Sequence, residues 1–275
     1  MKYLTDSENA QRFRTYWEQR LASPIPKIDL ATDFPRPPFK TYSGDSVSLE
    51  LSKEASSKLI SLAKEHNASL FMVFLSSLTA LLYLETNQND IIIGAPVSGR
   101  SHHDWEDQLG LFINLLPLRI KFNPKITFAE LLKNVRSVCL EAFRHQDYPF
   151  DKIIDDLKLP RDLSRSPLFD ILLEVQELPD SEQVTLLNAA MIENDTPTVI
   201  SKYDLSVAFV RDHGVIRGSI EYNSALFKAA RIKHFKDMLC LLLNNLGSNK
   251  NSEIADIFSD QVEITDNAFE DLNTK

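Results

Sequence analysis

The sequence is short of glycine, cysteine and positive charge, and it has no long apolar run. Only 7 of its 275 residues are glycine and only 2 are cysteine. Cys139 and Cys240 lie in apolar, helix-like settings, which predicts buried free thiols in a reducing cytoplasm rather than a disulfide. A net charge of −9 argues against a nucleic-acid partner. No apolar run approaches the ~20 residues of a membrane span, and the first residues lack a signal-peptide core, so we predict a cytoplasmic protein.

The residues that are present have the composition of a globular domain with a sizeable core. Hydrophobic residues make up 43% and charged residues 25% of the chain. Helical and strand-like periodicities are mixed along the chain, which predicts an α/β or α+β layered domain. We divide it into an N-terminal helix with a proline-rich linker at 1–44, a main lobe at 45–247, and a polar, mobile tail at 248–275.

The predicted elements begin and end at recognisable signals. Ser52 and Ser69 are placed to cap helices, and Thr127 with Glu130 forms a capping-box pattern. The turn 212–214 separates two strand-like runs as in a hairpin. Predicted helices lie at 7–21, 53–65, 70–83, 128–145, 150–157 and 226–246, and the last is expected to end at Gly247. Predicted strands lie at 47–51, 91–97, 109–120, 169–176, 204–211 and 215–222.

The stretch from Asp90 to Ile120 organises the chain. Two apolar, β-branched runs flank a polar segment, and glycines stand at 94, 99 and 110 in a chain with few glycines. Buried strands on either side would hold the polar segment on a rigid base, which is a common setting for functional loops.

Residues 94–100 (GAPVSGR) followed by 109–114 (LGLFIN) resemble the second half of a condensation domain from nonribosomal peptide synthetases. Residues 145–150 (HQDYPF) and 161–168 (RDLSRSPL) fit the same family in the same order. The resemblance covers roughly Tyr16 to Leu246. It implies the two-lobed fold of chloramphenicol acetyltransferase, of which this chain would be the C-terminal lobe, a mixed sheet flanked by helices.

The resemblance also implies what this chain contributes and what it does not. The family joins aminoacyl and peptidyl thioesters carried on the phosphopantetheine of carrier proteins, and no cofactor is bound directly. Its chemistry depends on a His-His-x-x-x-Asp-Gly motif in the other lobe. We therefore expect a partial condensation domain that is inactive alone, with carrier proteins and an N-terminal lobe or synthetase modules as partners. A split enzyme half, a gene fragment and a relic remain open, as does a non-catalytic docking module.

The segment 102–107 imitates the catalytic motif. His102 and His103 precede Asp107 at the right spacing, but Gln108 stands where the motif has glycine. The segment also follows Gly99, in the part of the chain that resembles the second lobe, so we interpret it as a solvated loop. Zinc binding is disfavoured because adjacent histidines seldom converge on one metal. No residue is assigned a catalytic or metal-binding role.

Several polar residues remain candidates for substrate-channel or structural roles. Arg100 is a candidate partner for the aspartate of the catalytic motif in the other lobe, with a pair inside its own lobe as the alternative. Asn114 matches the family, although Leu115 replaces the usual Thr or Ser. Asp147 is expected to cap the following helix. The candidates are Arg100, Asn114, Arg119, Asp147, Arg161, Arg165 and Asp204.

Further expectations concern the loop at 161–168 and the surface of the lobe. Arg161, Asp162, Ser164 and Arg165 could form a polar network that fixes the loop, and Ser166 replaces the more usual Asn. Asp204 resembles the family's aspartate near the acceptor channel. Residues 114–118 and 203–209 are expected to form part of an exposed apolar face, with unpaired backbone groups at 205–210.

Overall fold

A computed structural model describes residues 8–100, 108–110, 112–177, 199–249 and 252–256. The helices are α1 (Glu8–Arg20), α2 (Lys53–Glu65), α3 (Leu70–Thr86), α4 (Phe128–Arg144), α5 (Phe150–Leu157) and α6 (Ala229–Asn249). The strands are β1 (Ser43–Glu50), β2 (Asp90–Val97), β3 (Asn114–Lys121), β4 (Ile171–Glu177), β5 (Val199–Ile200), β6 (Leu205–Asp212) and β7 (Val215–Asn223). Most predicted elements are confirmed to within a few residues.

A mixed sheet runs through the domain in the order β3-β2-β4-β6-β7-β1-β5. Strands β2, β4 and β6 are parallel neighbours, and the remaining pairs are antiparallel. Helices lie against the sheet. The sheet flanked by helices confirms the predicted α/β (α+β) class.

Local capping signals account for where the helices begin. The Ser52 hydroxyl accepts from the Ala55 N–H, and the Ser69 hydroxyl accepts from the Met72 N–H. Thr127 and Glu130 form the reciprocal capping box that the sequence predicts. Helix α3 is buried along most of its length and is the central helix, because its residues are apolar on nearly every side.

Residues His213 and Gly214 form the two-residue turn between β6 and β7. Both have positive φ, 45° and 80° respectively. Positive φ at both central residues matches the right-handed twist of the paired strands. The predicted hairpin is therefore confirmed.

The C-terminal part of the chain differs from the prediction at both ends of α6. The helix begins at Ala229 rather than near 226, and it continues through Gly247 instead of ending there. The Asp33 carboxylate accepts from the N–H of Lys228, just before the helix, so the first turn is satisfied by the linker. Residues 252–256 pack against the domain rather than forming a mobile tail, since Ile254 is fully buried.

The predicted exposed apolar face is wrong. Leu116 and Leu118 of β3 and Val207 and Phe209 of β6 are all buried. Strand β6 also has no free edge, because it pairs with β4 on one side and β7 on the other. Exposed large apolar side chains lie elsewhere, and they include Phe39, Tyr42, Leu109, Ile113 and Ile200.

The N-terminal helix and the linker are packed onto the lobe. Phe13 and Trp17 of α1, and Leu21 directly after it, are buried together, as their spacing predicts. Among the described helices none is by itself long and apolar enough to cross a membrane, although α2 and α3, bent by 103°, meet that test as a pair by length and composition.

Candidate functional site

Asn114 connects the start of β3 to the corner between α4 and α5. Its Nδ2 donates to the carbonyls of Gln146 at 2.8 Å and Tyr148 at 2.9 Å. Its Oδ1 accepts from the N–H of Phe150 at 3.0 Å. The amide therefore has both ends engaged inside the lobe, and it fixes the geometry of the 145–150 corner.

The expectation that Asp147 caps the following helix is wrong. Helix α5 has Pro149 at its N-cap, which lacks a capping side chain, and the first free N–H, that of Phe150, is bound by Asn114 instead. The Phe150 ring lies 5.5 Å from the ring of Phe169, centroid to centroid. The corner is thus held by a side chain 36 residues away in sequence.

His145, the first residue of this corner, holds helix α1. Its ring stacks on Tyr16 with centroids 3.9 Å apart, and its carbonyl accepts from the indole N–H of Trp17 at 3.1 Å. Its Nδ1 lies 2.7 Å from the Glu141 carbonyl. The imidazole is therefore engaged in packing and hydrogen bonding.

Arg119 joins the first residues of the linker to the sheet. It forms two hydrogen bonds of 2.8 Å to Asp90 on β2, and it donates to the carbonyls of Ala22 at 2.6 Å and Pro24 at 2.7 Å. The bond to Asp90 raises the pKa of Arg119. The planar guanidinium binds the Asp90 carboxylate through two hydrogen bonds and also donates to the linker carbonyls.

Arg100 lies at the start of the polar loop that follows β2. Its guanidinium donates to the Gln108 carbonyl at 2.9 Å and lies 4.4 Å from the centroid of the Phe112 ring. Gly99 has φ of 65°, and a Cβ there would lie 1.7 Å from the Phe112 carbonyl oxygen. The two ends of the loop thus meet closely. His102, His103 and Asp104 lie outside the described residues, so their interpretation as a solvated loop stays a prediction.

A cluster of charged residues lies where the linker crosses the starts of β4 and β6. Arg36 forms a two-pronged ion pair with Asp204, and Arg165 pairs with the buried carboxylate of Asp170. Burial, followed by the nearby Asp204 carboxylate, raises the pKa of Asp170. Sequence reasoning found Arg165 and Asp204 but missed their partners Asp170 and Arg36. Arg36 lies 168 residues from Asp204 in the sequence, and Asp170 meets Arg165 across a turn.

The polar residues of the 161–168 loop have several partners rather than one shared network. Asp162 accepts from Lys27 at 2.8 Å and from the Ser164 hydroxyl at 2.6 Å. These bonds hold the pKa of Asp162 well below its usual range, and the bond from Lys27 has the largest effect. Arg165 turns instead toward Asp170. Arg161 is exposed.

Two cavities adjoin this loop. One of about 490 Å³ lies between residues 23–28 of the linker and the loop, with Ile25, Ile28 and Phe169 on its walls. A second, open cavity of about 500 Å³ contains Lys40 and Ser166. Within the described residues, no group of three His, Cys, Asp or Glu side chains could hold a metal ion.

Gly94 allows the ring of Phe169 to pack directly on β2. A Cβ at this position would lie 2.1 Å from the nearest ring atom of Phe169. The glycine of the 94–100 stretch therefore contacts the segment that follows the 161–168 loop. Stretches that are distant in sequence are brought together by this contact and by the bonds of Asn114.

Comparison with known proteins identifies the family. The family model described as the condensation domain matches residues 2–263. The chain is 39% identical over 234 residues to a plipastatin synthase of Bacillus subtilis (strain 168), covering 85% of this chain and 6% of that protein. It is 36% identical over 240 residues to a linear gramicidin synthase of Brevibacillus parabrevis, covering 87% of this chain and 5% of that protein. The chain therefore spans a small part of these curated relatives.

Solved structures share the fold. A four-domain nonribosomal peptide synthetase bound to AMP and glycine superposes with a TM-score of 0.82 at 22% identity, covering 94% of this chain and 21% of that one. The X-domain from teicoplanin biosynthesis superposes with a TM-score of 0.79 at 23% identity, covering 92% of this chain and 57% of that one. The family-model match over residues 2–263 and the 39% identity to a plipastatin synthase show that this chain belongs to the condensation-domain family of nonribosomal peptide synthetases.

Proposed function

We propose that this chain acts as the C-terminal lobe of a condensation domain and contributes to amide-bond formation between carrier-protein-tethered aminoacyl and peptidyl thioesters. The observation that carries the proposal is the family match over residues 2–263, in a sequence that contains no His-His-x-x-x-Asp-Gly motif. The chain superposes on 57% of the X-domain chain, which supports its assignment to a part of that fold.

The reaction requires a base or positioning group for the attacking amine and donors for the developing oxyanion. In this lobe, Asn114 and Arg119 have their donors directed at the lobe's own carbonyls and carboxylates, and the Asp204 carboxylate is occupied by Arg36. These residues therefore hold the lobe itself together. Proton transfer is assigned to the His-His-x-x-x-Asp-Gly lobe.

A reconstitution experiment tests the proposal. The chain is mixed with the N-terminal lobe of the matching condensation domain of plipastatin synthase, and with aminoacyl-loaded donor and acceptor carrier proteins. Dipeptide on the acceptor carrier is measured by mass spectrometry. We expect dipeptide only when both lobes are present, because proton transfer and substrate positioning are divided between them.

Matched variants sharpen this test. Replacing the second histidine of the added lobe with alanine should abolish the product, whereas His103→Ala in this chain should leave it unchanged. Dipeptide formed by this chain alone, and lost in His103→Ala, would contradict both the proposal and the interpretation of residues 102–107 as a solvated loop.

A docking role is the second candidate, and one observation favours it. A solved structure with the same fold is a complex of the X-domain and OxyB from teicoplanin biosynthesis, with a TM-score of 0.78 at 23% identity. A domain of this shape is thus found bound to a partner protein. Tight binding of a carrier protein or synthetase module, without dipeptide in the reconstituted reaction, would favour docking over catalysis.

A further inference from the structure

We propose that Ser166 and Lys40 form a nucleophile–base pair that hydrolyses thioesters and esters with apolar acyl groups. This activity goes beyond amide-bond formation, and it needs only residues of this chain. It is carried by one contact, in which Lys40 Nζ donates to Ser166 Oγ. A serine hydroxyl becomes a useful nucleophile when a base is positioned on its oxygen, and lysine serves as that base in Ser–Lys enzymes.

The linker backbone holds the two residues together. The N–H of Lys40 donates to the Leu163 carbonyl at 2.8 Å, so the linker is fixed against the loop that carries Ser166. Ser166 stands where sequence resemblance to the family leads us to expect Asn, which cannot act as a nucleophile. The pair is therefore a departure of this chain from the family pattern.

Burial, rather than the surrounding charges, favours a neutral amine at Lys40. Burial lowers the pKa of Lys40, and the Arg36 guanidinium acts in the same direction. The Asp204 and Asp170 carboxylates oppose this, but they are paired with Arg36 and Arg165. None of the ion pairs formed within the described residues includes Lys40. A lysine whose pKa is lowered by burial is a better general base than an exposed lysine.

The cavity around the pair indicates the substrate class. It has a volume of about 500 Å³, is open to solvent, and is walled by the apolar or aromatic side chains of Tyr42, Phe150, Phe169, Ile200 and Tyr203. The rings of Tyr42 and Tyr203 lie 5.7 and 5.4 Å from Lys40 Nζ. Such walls suit an apolar or aromatic acyl group. Lys202, exposed at the same cavity, adds a positive charge to its lining.

The chemical step balances without a redox partner. Loss of a proton from Lys40 reverses its hydrogen bond with Ser166, and the neutral amine then takes the hydroxyl proton as Ser166 Oγ bonds to the acyl carbon. The carbon–sulfur bond then breaks, and the departing thiolate takes the proton from the Lys40 ammonium. Water attacks the acyl-serine ester with Lys40 again as base, and it releases a carboxylic acid and the free serine. The net reaction is thioester plus water to acid plus thiol.

Two measurements on the chain alone test the proposal. The first treats the protein with a fluorophosphonate probe and maps the labelled peptide by mass spectrometry. The second follows thiol release from the phenylacetyl thioester of N-acetylcysteamine. Ser166→Ala and Ser166→Asn should abolish labelling and reduce hydrolysis to the buffer rate, and Lys40→Arg should lower it by about 10²-fold because arginine keeps the charge but cannot act as a base.

Ser164→Ala is the matched control, since Ser164 lies in the same loop but bonds to Asp162. It should label and hydrolyse like the original chain. The hydrolysis rate of the original chain should also rise with pH to a plateau as Lys40 loses its proton. Ser166→Asn keeps an acceptor for Lys40, so it controls for loss of the fold. Labelling outside Ser166, or hydrolysis that persists in Ser166→Asn, would overturn the proposal. Because no second lobe or carrier protein is present, either result leaves the amide-bond proposal separately testable.

Discussion

Replacing Asn114 with alanine should destabilise the lobe strongly. The change removes hydrogen bonds to the Gln146 and Tyr148 carbonyls and to the Phe150 N–H, all between 2.8 and 3.0 Å. Each contributes about 1 kcal/mol net, and the half-buried partners lose access to a replacement donor or acceptor, so we expect a total loss of about 3 kcal/mol. Urea unfolding followed by circular dichroism measures the difference, with an unchanged slope showing that the unfolded state is the same.

Asn134→Ala is the control for this experiment. Asn134 makes one exposed hydrogen bond, to the Lys121 carbonyl at 2.9 Å, so its loss should cost about 0.5 kcal/mol. Asn114→Asp adds a second comparison, because it keeps an acceptor for Phe150 but turns a negative oxygen toward two carbonyls. If Asn114→Ala costs no more than Asn134→Ala, the side chain does not fix the corner, and a direct substrate contact becomes the better interpretation.

Three further predictions concern packing and ionisation. Gly94→Ala should cost about 2 kcal/mol in urea unfolding through overpacking against Phe169, and Phe169→Leu in the same chain should recover part of the loss. Burial raises the pKa of Tyr16 and of Cys139 to about 12, so these groups should ionise in the unfolded chain at a lower pH than in the folded chain. The free energy of unfolding should therefore fall as pH rises above about 9, and these groups should cause no pH dependence between pH 6 and 8. Equal stability at pH 8 and 10.5 would contradict this. Cys139 should also resist Ellman's reagent at pH 8 until urea unfolds the chain, since its thiol is buried and un-ionised.

Sequence reasoning succeeded where the deciding contacts are local. Ser69, Thr127 and Glu130 make their capping bonds within three residues, so the helix starts could be predicted. The hairpin turn at His213 and Gly214 is equally local. Each of these signals depends on backbone geometry that neighbouring residues determine.

It failed where a partner comes from elsewhere in the fold. Asp33 satisfies the start of α6 from 195 residues away, so the beginning of that helix could not be located from its own residues. The apolar stretch at 203–209 looked like an exposed face. Its inward side chains are buried by packing on the face of the sheet, as in the stacking of Phe209 on Phe74 of α3, while β4 and β7 pair with both edges of β6.

The candidate site divides in the same way. Arg165 could be selected as part of the polar loop at 161–168, and Asp204 through its resemblance to the family's aspartate near the acceptor channel. The identity of those partners, Asp170 and Arg36, depends on where the linker crosses the sheet. The same crossing brings Lys40 to Ser166, a pair separated by 126 residues, and no spacing in the sequence indicates it.

The linker between α1 and β1 has a consequence for the kinetics of folding. Its contacts join residues that are far apart in sequence, as in Arg119 to Ala22 at 97 positions, Arg36 to Asp204 at 168 and Arg231 to Asp33 at 198. Closing loops of this length is entropically costly before the sheet exists, so these contacts should form after the rate-limiting step. Substitutions at Arg36 or Asp33 should then accelerate unfolding while leaving the refolding rate nearly unchanged. The linker would thereby set the lifetime of the folded lobe rather than the speed at which it forms.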